Sequence, residues 1–197
     1  DIDNDGILEL LISHGESGLQ PLSLFKHNNE EKRSYLRIRP LNMHGAPARG
    51  ATVTLITNEN IYSDNENFYC DNLDIKTLSE GLSNQFKVHL IGRLSKVHRS
   101  HKINIQNISV FKSLFEYLIG VNKLSTKERS NLIVSITPFT FCAVLTSSFK
   151  KKPKVYLRSD GYGEYKAILG PIGKFIFHIM FFIVSKLSNF IACSKEM

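Results

Sequence analysis

Cysteine is scarce in this chain. Cys70, Cys142 and Cys193 are the only three among 197 residues, they stand far apart, and no CxxC pair exists. That pattern excludes a zinc ribbon and a disulfide framework, and it suits a reducing compartment. Nucleotide and nucleophile signatures are also missing. No G-x-x-x-x-G-K, G-x-S-x-G or H-E-x-x-H occurs, so a P-loop, a nucleophile elbow and a zincin helix are excluded. Apolar runs are short. Residues 175–184 are nearly all apolar between Lys174 and Lys186, but a bilayer span needs about 20 such residues. A buried core helix is the favoured expectation for this run. Peripheral membrane contact is the alternative, since Lys flanks and Phe-rich faces suit an interface. Residue 1 is not Met, no signal peptide stands there, and the chain opens inside a motif, so a fragment is expected.

What charge there is, is unevenly spread. The chain carries a net +7, made of −2 over residues 1–60 and +9 over residues 61–197. The basic part suits anionic membrane surfaces, phosphorylated substrates or nucleic acid. Nucleic acid is not expected as a partner, because no recognised binding motif or basic helix accompanies the charge.

The chain opens Asp1-Ile-Asp-Asn-Asp-Gly-Ile-Leu-Glu9. Carboxylates at positions 1, 3 and 5 can converge on one cation when the chain loops, and Gly6 permits the turn. The carbonyl of Ile7 and the carboxylate of Glu9 complete a candidate set of Asp1, Asp3, Asp5, Ile7 and Glu9. Oxygen-only ligands point to Ca2+, and an acidic surface turn is the alternative. Short strands are expected at 8–12 and 22–25, and further strands at 35–41 and 51–56. Residues 58–67 are polar and rich in turn formers, which marks an expected junction.

Beyond it, strand and helix patterns alternate, as a parallel sheet requires. Helices are expected at 73–82, 108–120 and 139–149, and strands at 86–91, 132–136, 155–157 and 190–193. Pro171 suits the first turn of a further helix. The basic loop at 93–101 can steer phosphate groups. Around it all stands Lys154-Val-Tyr-Leu-Arg-Ser-Asp-Gly-Tyr-Gly-Glu-Tyr165. A short strand ends in three polar residues, turns at glycines and enters a helix. Ligands of open α/β sheets bind beyond the carboxyl ends of strands, so this corner is the leading site candidate. The strands ending at Ile136 and Leu157 are expected to be parallel neighbours, which brings the two following loops to one cleft.

The corner, continued through Gly170, resembles the N-terminal domain of bacterial group 4 glycosyltransferases. Phe68-Tyr-Cys-Asp-Asn-Leu-Asp-Ile-Lys76, Ser135-Ile-Thr-Pro-Phe-Thr140 and Ile191-Ala-Cys-Ser194 match the same family in order. The likeness covers about residues 60–197. It implies a truncated Rossmann-like parallel sheet, the N-terminal half of a GT-B fold, at 68–197 with the C-terminal domain missing. It also implies sugar transfer from a nucleotide-sugar, bound mainly by the missing domain, to a glycan or lipid-linked acceptor. A cytoplasmic, membrane-associated setting follows for that part. Within it, Asp160 is the candidate base or hydroxyl-orienting group, with an N-cap role as the alternative. Arg158, Ser159, Gly161, Thr137, Thr140, Asp71 and Asn72 are the candidate substrate contacts, Gly161 by leaving room for a sugar. Arg158 and Asp160 can instead clip to each other. Residues 1–57 resemble a different pair of families. The acidic loop is similar to those of FG-GAP repeats, and Gly45-Ala-Pro-Ala-Arg-Gly-Ala51 to the ASPIC/UnbV domain that follows them. That likeness implies a small all-β, calcium-binding segment of an exported type, and it supplies no catalytic residues.

Overall fold

The structure, a computed structural model, describes residues 10–12, 23–25, 51–64, 66–125, 130–149, 151–157 and 159–192. The chain divides into two compact units, Asp1–Arg37 and Ile38–Met197. In the first, β1 (Leu10–Ile12) and β2 (Ser23–Phe25) pair antiparallel, Leu11 opposite Leu24. Both were expected as strands. The calcium set Asp1, Asp3, Asp5, Ile7 and Glu9 and the strand at 35–41 lie outside the described residues.

The second unit is a mixed α/β layer structure. Its strands are β3 (Thr52–Ser63), β4 (Phe68–Cys70), β5 (Lys87–Ser95), β6 (His101–Ile103), β7 (Asn107–Phe111), β8 (Ser130–Val134), β9 (Lys154–Leu157) and β10 (Asn189–Ala192). Its helices are α1 (Leu73–Ser83), α2 (Leu114–Leu124), α3 (Pro138–Thr146) and α4 (Gly161–Leu187). Six strands lie in the order β10-β9-β8-β3-β5-β7, and every neighbouring pair is parallel. β4 and β6 add an antiparallel flap at the far end of β3, where Tyr62 faces Tyr69 and Phe68 faces Ile103.

β3 is the centre of this sheet, and it overturns the expected boundary. Leu55 has Leu90 on one side and Leu132 on the other. The strand continues through Ser63, so residues 58–63 are sheet and not a junction. Their polarity has a local cause. Beyond Ile56 the register with β5 slips by two residues, so that Asn60 rather than Asn58 stands opposite Arg93. Past this bulge the strand leaves the covered part of the sheet, and most of its side chains are only half-buried.

Alternation along the strands builds the core. Ile56, Ile91, Ile133 and Val155 share one face and join Tyr117, Val121, Ala143, Val144, Phe177, Met180 and Val184 in a single buried cluster. Leu55, Leu90 and Leu132 are buried on the opposite face. α1 packs against β4, β5 and β6, whereas α3 touches both α2 and α4.

Two helical expectations change. Residues 108–111 belong to β7, so the helix expected at 108–120 starts later. Ser113 caps α2 by accepting from the backbone N–H of Glu116 at 3.2 Å, and Glu116 returns a carboxylate to the N–H of Lys112 at 3.0 Å. α4 is two helical segments. Gly170 has φ 67° and ψ −152°, a backbone state open to glycine, and Pro171 starts the second segment as expected. That second segment is not the buried helix favoured for residues 175–184. Gly173, Phe177, Met180 and Val184 face inward, but Phe175, Ile176, Ile179 and Phe182 are exposed.

Candidate functional site

β8 and β9 run side by side, Val134 opposite Tyr156. Their carboxyl ends therefore open on the same edge, as expected of parallel neighbours. The strand order also reverses at this edge, because chain order runs one way from β3 through β5 to β7 and the other way from β8 to β10. A crevice forms where such connections diverge.

After β8 the backbone makes an unusual turn. Ser135 has φ 65°, the left-handed region that a serine enters at a cost. Its N–H still donates to Tyr156 O at 3.0 Å, and its carbonyl accepts from Thr140 Oγ1 at 2.9 Å. Its own hydroxyl is buried with no partner among the described residues. Thr137 then starts α3 in a capping box. Thr137 Oγ1 accepts from the N–H of Thr140 at 3.3 Å, and Thr140 Oγ1 accepts from the N–H of Thr137 at 2.8 Å. Thr140 is buried and its hydroxyl is committed to this turn, so it supports the cleft from behind. Thr137 is half-buried at the helix mouth.

At the second corner Asp160 caps α4. One carboxylate oxygen accepts from the N–H of Tyr162 at 3.0 Å, and the side chain is exposed. Ser159 beside it is half-buried, and Arg158 lies outside the described residues. Gly161 does not leave room for a ligand. A Cβ there would stand 2.1 Å from Cζ of Phe177, so the ring already fills that space. The N-termini of α3 and α4 thus both meet the edge, and each presents the positive end of a helix dipole.

Two further side chains complete the edge. Arg93, near the end of β5, lies over the Phe139 ring with its guanidinium carbon 4.3 Å from the centroid. Its Nη1 also approaches Asn58 Oδ1 at 3.5 Å. The arginine is half-buried, and its guanidinium presents a fork of N–H donors. Below it, the Tyr117 hydroxyl donates to the Thr57 carbonyl at 3.1 Å, and burial pushes its pKa far above that of an ordinary phenol.

The first loop is tied elsewhere. Asp71 accepts from Arg99 Nη1 at 2.6 Å, and from Ser100 through its N–H at 2.9 Å and its hydroxyl at 3.1 Å. The Arg99 hydrogen bond, and next the Ser100 N–H, hold its carboxyl below the usual carboxylate range. Asn72 caps α1, accepting from Asp74 N–H at 3.0 Å. Both residues serve the β4–α1 turn and the loop before β6. Among the described residues no three His, Cys, Asp or Glu side chains gather as metal ligands do. A cavity of about 680 Å³ opens at the other end of the strands, among Thr52, Lys87, His89 and Asn107. It shares no residue with the cleft.

No family model matches the chain. No solved structure matches it either. A stretch of 57 residues, 29% of the chain, is 53% identical to cartilage acidic protein 1 of Xenopus tropicalis. The corresponding proteins of Mus musculus and Homo sapiens are 51% identical over the same length. The match spans 9% of the length of each relative.

Ser135 and Asn58 were not foreseen as site residues, whereas Arg93 opens the basic loop at 93–101 expected to steer phosphate groups. Arg93 had a signal, since it follows Gly92 at the end of a buried strand. Ser135 had none, because its identity does not announce a positive φ.

Proposed function

We propose that the second unit is the acceptor-side half of a two-domain glycosyltransferase of the GT-B type, built on a truncated Rossmann-like sheet. One observation carries this reading. The parallel order β10-β9-β8-β3-β5-β7 reverses between β3 and β8, and polar groups meet at that reversal. Thr137, Ser159 and Asp160 offer hydroxyl and carboxylate oxygens to the hydroxyls of a glycan or lipid-linked acceptor. Arg93 and the two helix N-termini offer positive charge to an acceptor phosphate. In an enzyme of this type the nucleotide-sugar binds mainly to the other half, and this unit works in the cytoplasm. Asp160 can orient the attacking hydroxyl with the oxygen not used in capping.

The test is amide NMR of the whole chain titrated with an undecaprenyl-phosphate analogue bearing one sugar. Shifts should concentrate at 135–140 and 159–162 and shrink in the Arg93→Gln variant. Shifts confined to the opposite end of the sheet, around Lys87 and His89, would remove the proposal.

A second reading concerns residues 1–57, as an exported calcium-binding module. Its ground is the acidic loop Asp1-Ile-Asp-Asn-Asp-Gly-Ile-Leu-Glu9, whose oxygen ligands suit Ca2+. Calorimetry should show weak Ca2+ binding by the chain, and the heat should vanish when Asp3 and Asp5 are both changed to Ala. Unchanged heat would end it.

A further inference from the structure

The second segment of α4 is apolar on two opposite sides. Phe177, Met180 and Val184 point into the core, where they pack in the same cluster as Ile56, Ile133 and Val155. Ile172, Phe175, Ile179 and Phe182 recur at spacings of three and four on the far side. They are 69%, 65%, 42% and 57% exposed. Ile168 and Leu169, before the kink, extend the same exposed apolar surface. A soluble surface helix is polar on this side.

Cations border the stripe. Lys166, Lys174 and Lys186 are exposed, and α4 holds a single acidic residue, Glu164, in its first turn. At the kink the chain encloses a groove of about 460 Å³ lined by Tyr162, Lys166, Pro171, Lys174, Phe175 and His178. The Tyr162 hydroxyl and His178 Nδ1 are 3.0 Å apart across it. Two lysines therefore line a groove whose other walls are Pro171 and the rings of Tyr162, Phe175 and His178.

We infer that the outer face of α4 docks on an anionic lipid bilayer, with one lipid phosphate held between Lys166 and Lys174. The helix lies in the plane of the interface. α4 is long and apolar enough to cross a membrane by composition. Crossing would pull Phe177, Met180 and Val184 out of the sheet's core, so the geometry selects the lying-down state. A second copy of the chain fits less well. Pairing two such faces would bring lysine rims together with only Glu164 to offset them, whereas anionic headgroups complement them. The inference stands on α4 alone, apart from the sugar-transfer reading.

The experiment is co-sedimentation of the whole chain with phosphatidylcholine vesicles, with and without about 30% phosphatidylglycerol to supply the surface potential. Binding should be much stronger with the anionic lipid and should weaken in high salt. Phe175→Ser with Phe182→Ser should lower the partition coefficient at least about tenfold on both lipids, since two exposed rings lose their insertion. Lys166→Gln with Lys174→Gln should lower it about fivefold per lysine on anionic vesicles only. All four positions are exposed, so far-UV circular dichroism should be unchanged. No binding to either vesicle would overturn the inference. So would resistance to alkaline carbonate extraction, which indicates a spanning helix. A dimer that the phenylalanine pair abolishes, without vesicle binding, would assign the face to a second copy.

Discussion

Gly161 offers a sharp test of how the α4 corner is built. The structure places the ring of Phe177 against it, with three ring carbons 2.1, 2.3 and 2.9 Å from where an alanine Cβ would stand. Carbon atoms in contact sit about 3.5–4.0 Å apart, so Gly161→Ala must push the ring by more than an ångström. Phe177 cannot yield freely. Its centroid is 4.9 Å from that of Tyr162, 5.2 Å from Tyr165 and 6.2 Å from Phe181. Overpacking of this kind costs about 1–3 kcal/mol. Against that, alanine favours helix over glycine by up to about 1 kcal/mol. The net expectation is a loss of roughly 0–2 kcal/mol. In a Phe177→Leu background the obstructing end of the ring is gone, and the same change should stabilise by up to about 1 kcal/mol. The sign should therefore reverse between backgrounds, a coupling that a double-mutant cycle isolates. Urea unfolding of the four proteins by circular dichroism measures it. Thermal scans should show about 2–4 °C per kcal/mol for a chain of this size. Destabilisation of equal size in both backgrounds would refute the packing argument. A Gly161→Ala protein as stable as the parent, but blind to an acceptor, would restore the idea that the glycine clears space for a sugar.

Three further outcomes are expected. Asp160→Ala should cost about 1 kcal/mol of stability through the lost cap, while Asp160→Asn, which caps as well, should be nearly neutral. If the asparagine variant is also destabilised, the carboxylate charge matters to folding and not only the cap. Ser135→Gly should stabilise the unit by about 1 kcal/mol in a denaturant titration, because φ 65° suits glycine and an unpaired buried hydroxyl is removed; a loss of stability would show that the hydroxyl has a bonding role. For Asp71 the folded pKa lies below the unfolded one. Its contribution is present above the ordinary carboxylate value near 4 and is lost as pH falls through the folded value, about pH 4 and below. Asp71→Asn should flatten that acid limb in a pH series of melting temperatures, and superimposable limbs would show that the Arg99 pair adds nothing.

Much of the sheet was legible because a buried parallel strand is a short apolar run with few rivals. Residues 132–136 and 155–157 read as such, and the capping of α3 follows from Thr137-Pro138 and Thr140. The failures have physical causes. Val110, Phe111, Leu114, Phe115 and Leu118 fall at helical spacing, yet the first two close a strand. The boundary lay in Ser113-Leu-Phe-Glu116, a capping-box pattern that outranks apolar periodicity. Residues 58–63 looked like a linker because polarity was read as absence of structure. There the strand simply passes beyond the layer that would bury it. Residues 175–184 were apolar all round, which fits a core helix, and composition could not show that only one side has a neighbour. Of the candidate site residues, Thr137 and Asp160 cap α3 and α4 at the edge of the sheet. Arg93 joined them only through the pairing of β5 with β3.

The central position of β3 reaches into how the protein is made. Among the described strands of its unit it is the first to leave the ribosome, yet both its edges are filled by later chain. Leu55 must wait for Leu90 on one side and, much longer, for Leu132 on the other. Through that interval a long apolar strand is open on at least one edge, a template for any neighbouring chain. The polar stretch at its far end, Asn58 to Asn60, then has a use before folding is complete, since it interrupts the sticky surface. Cutting the gene near position 57 would split β3 and take from the sheet the strand that stands between β5 and β8.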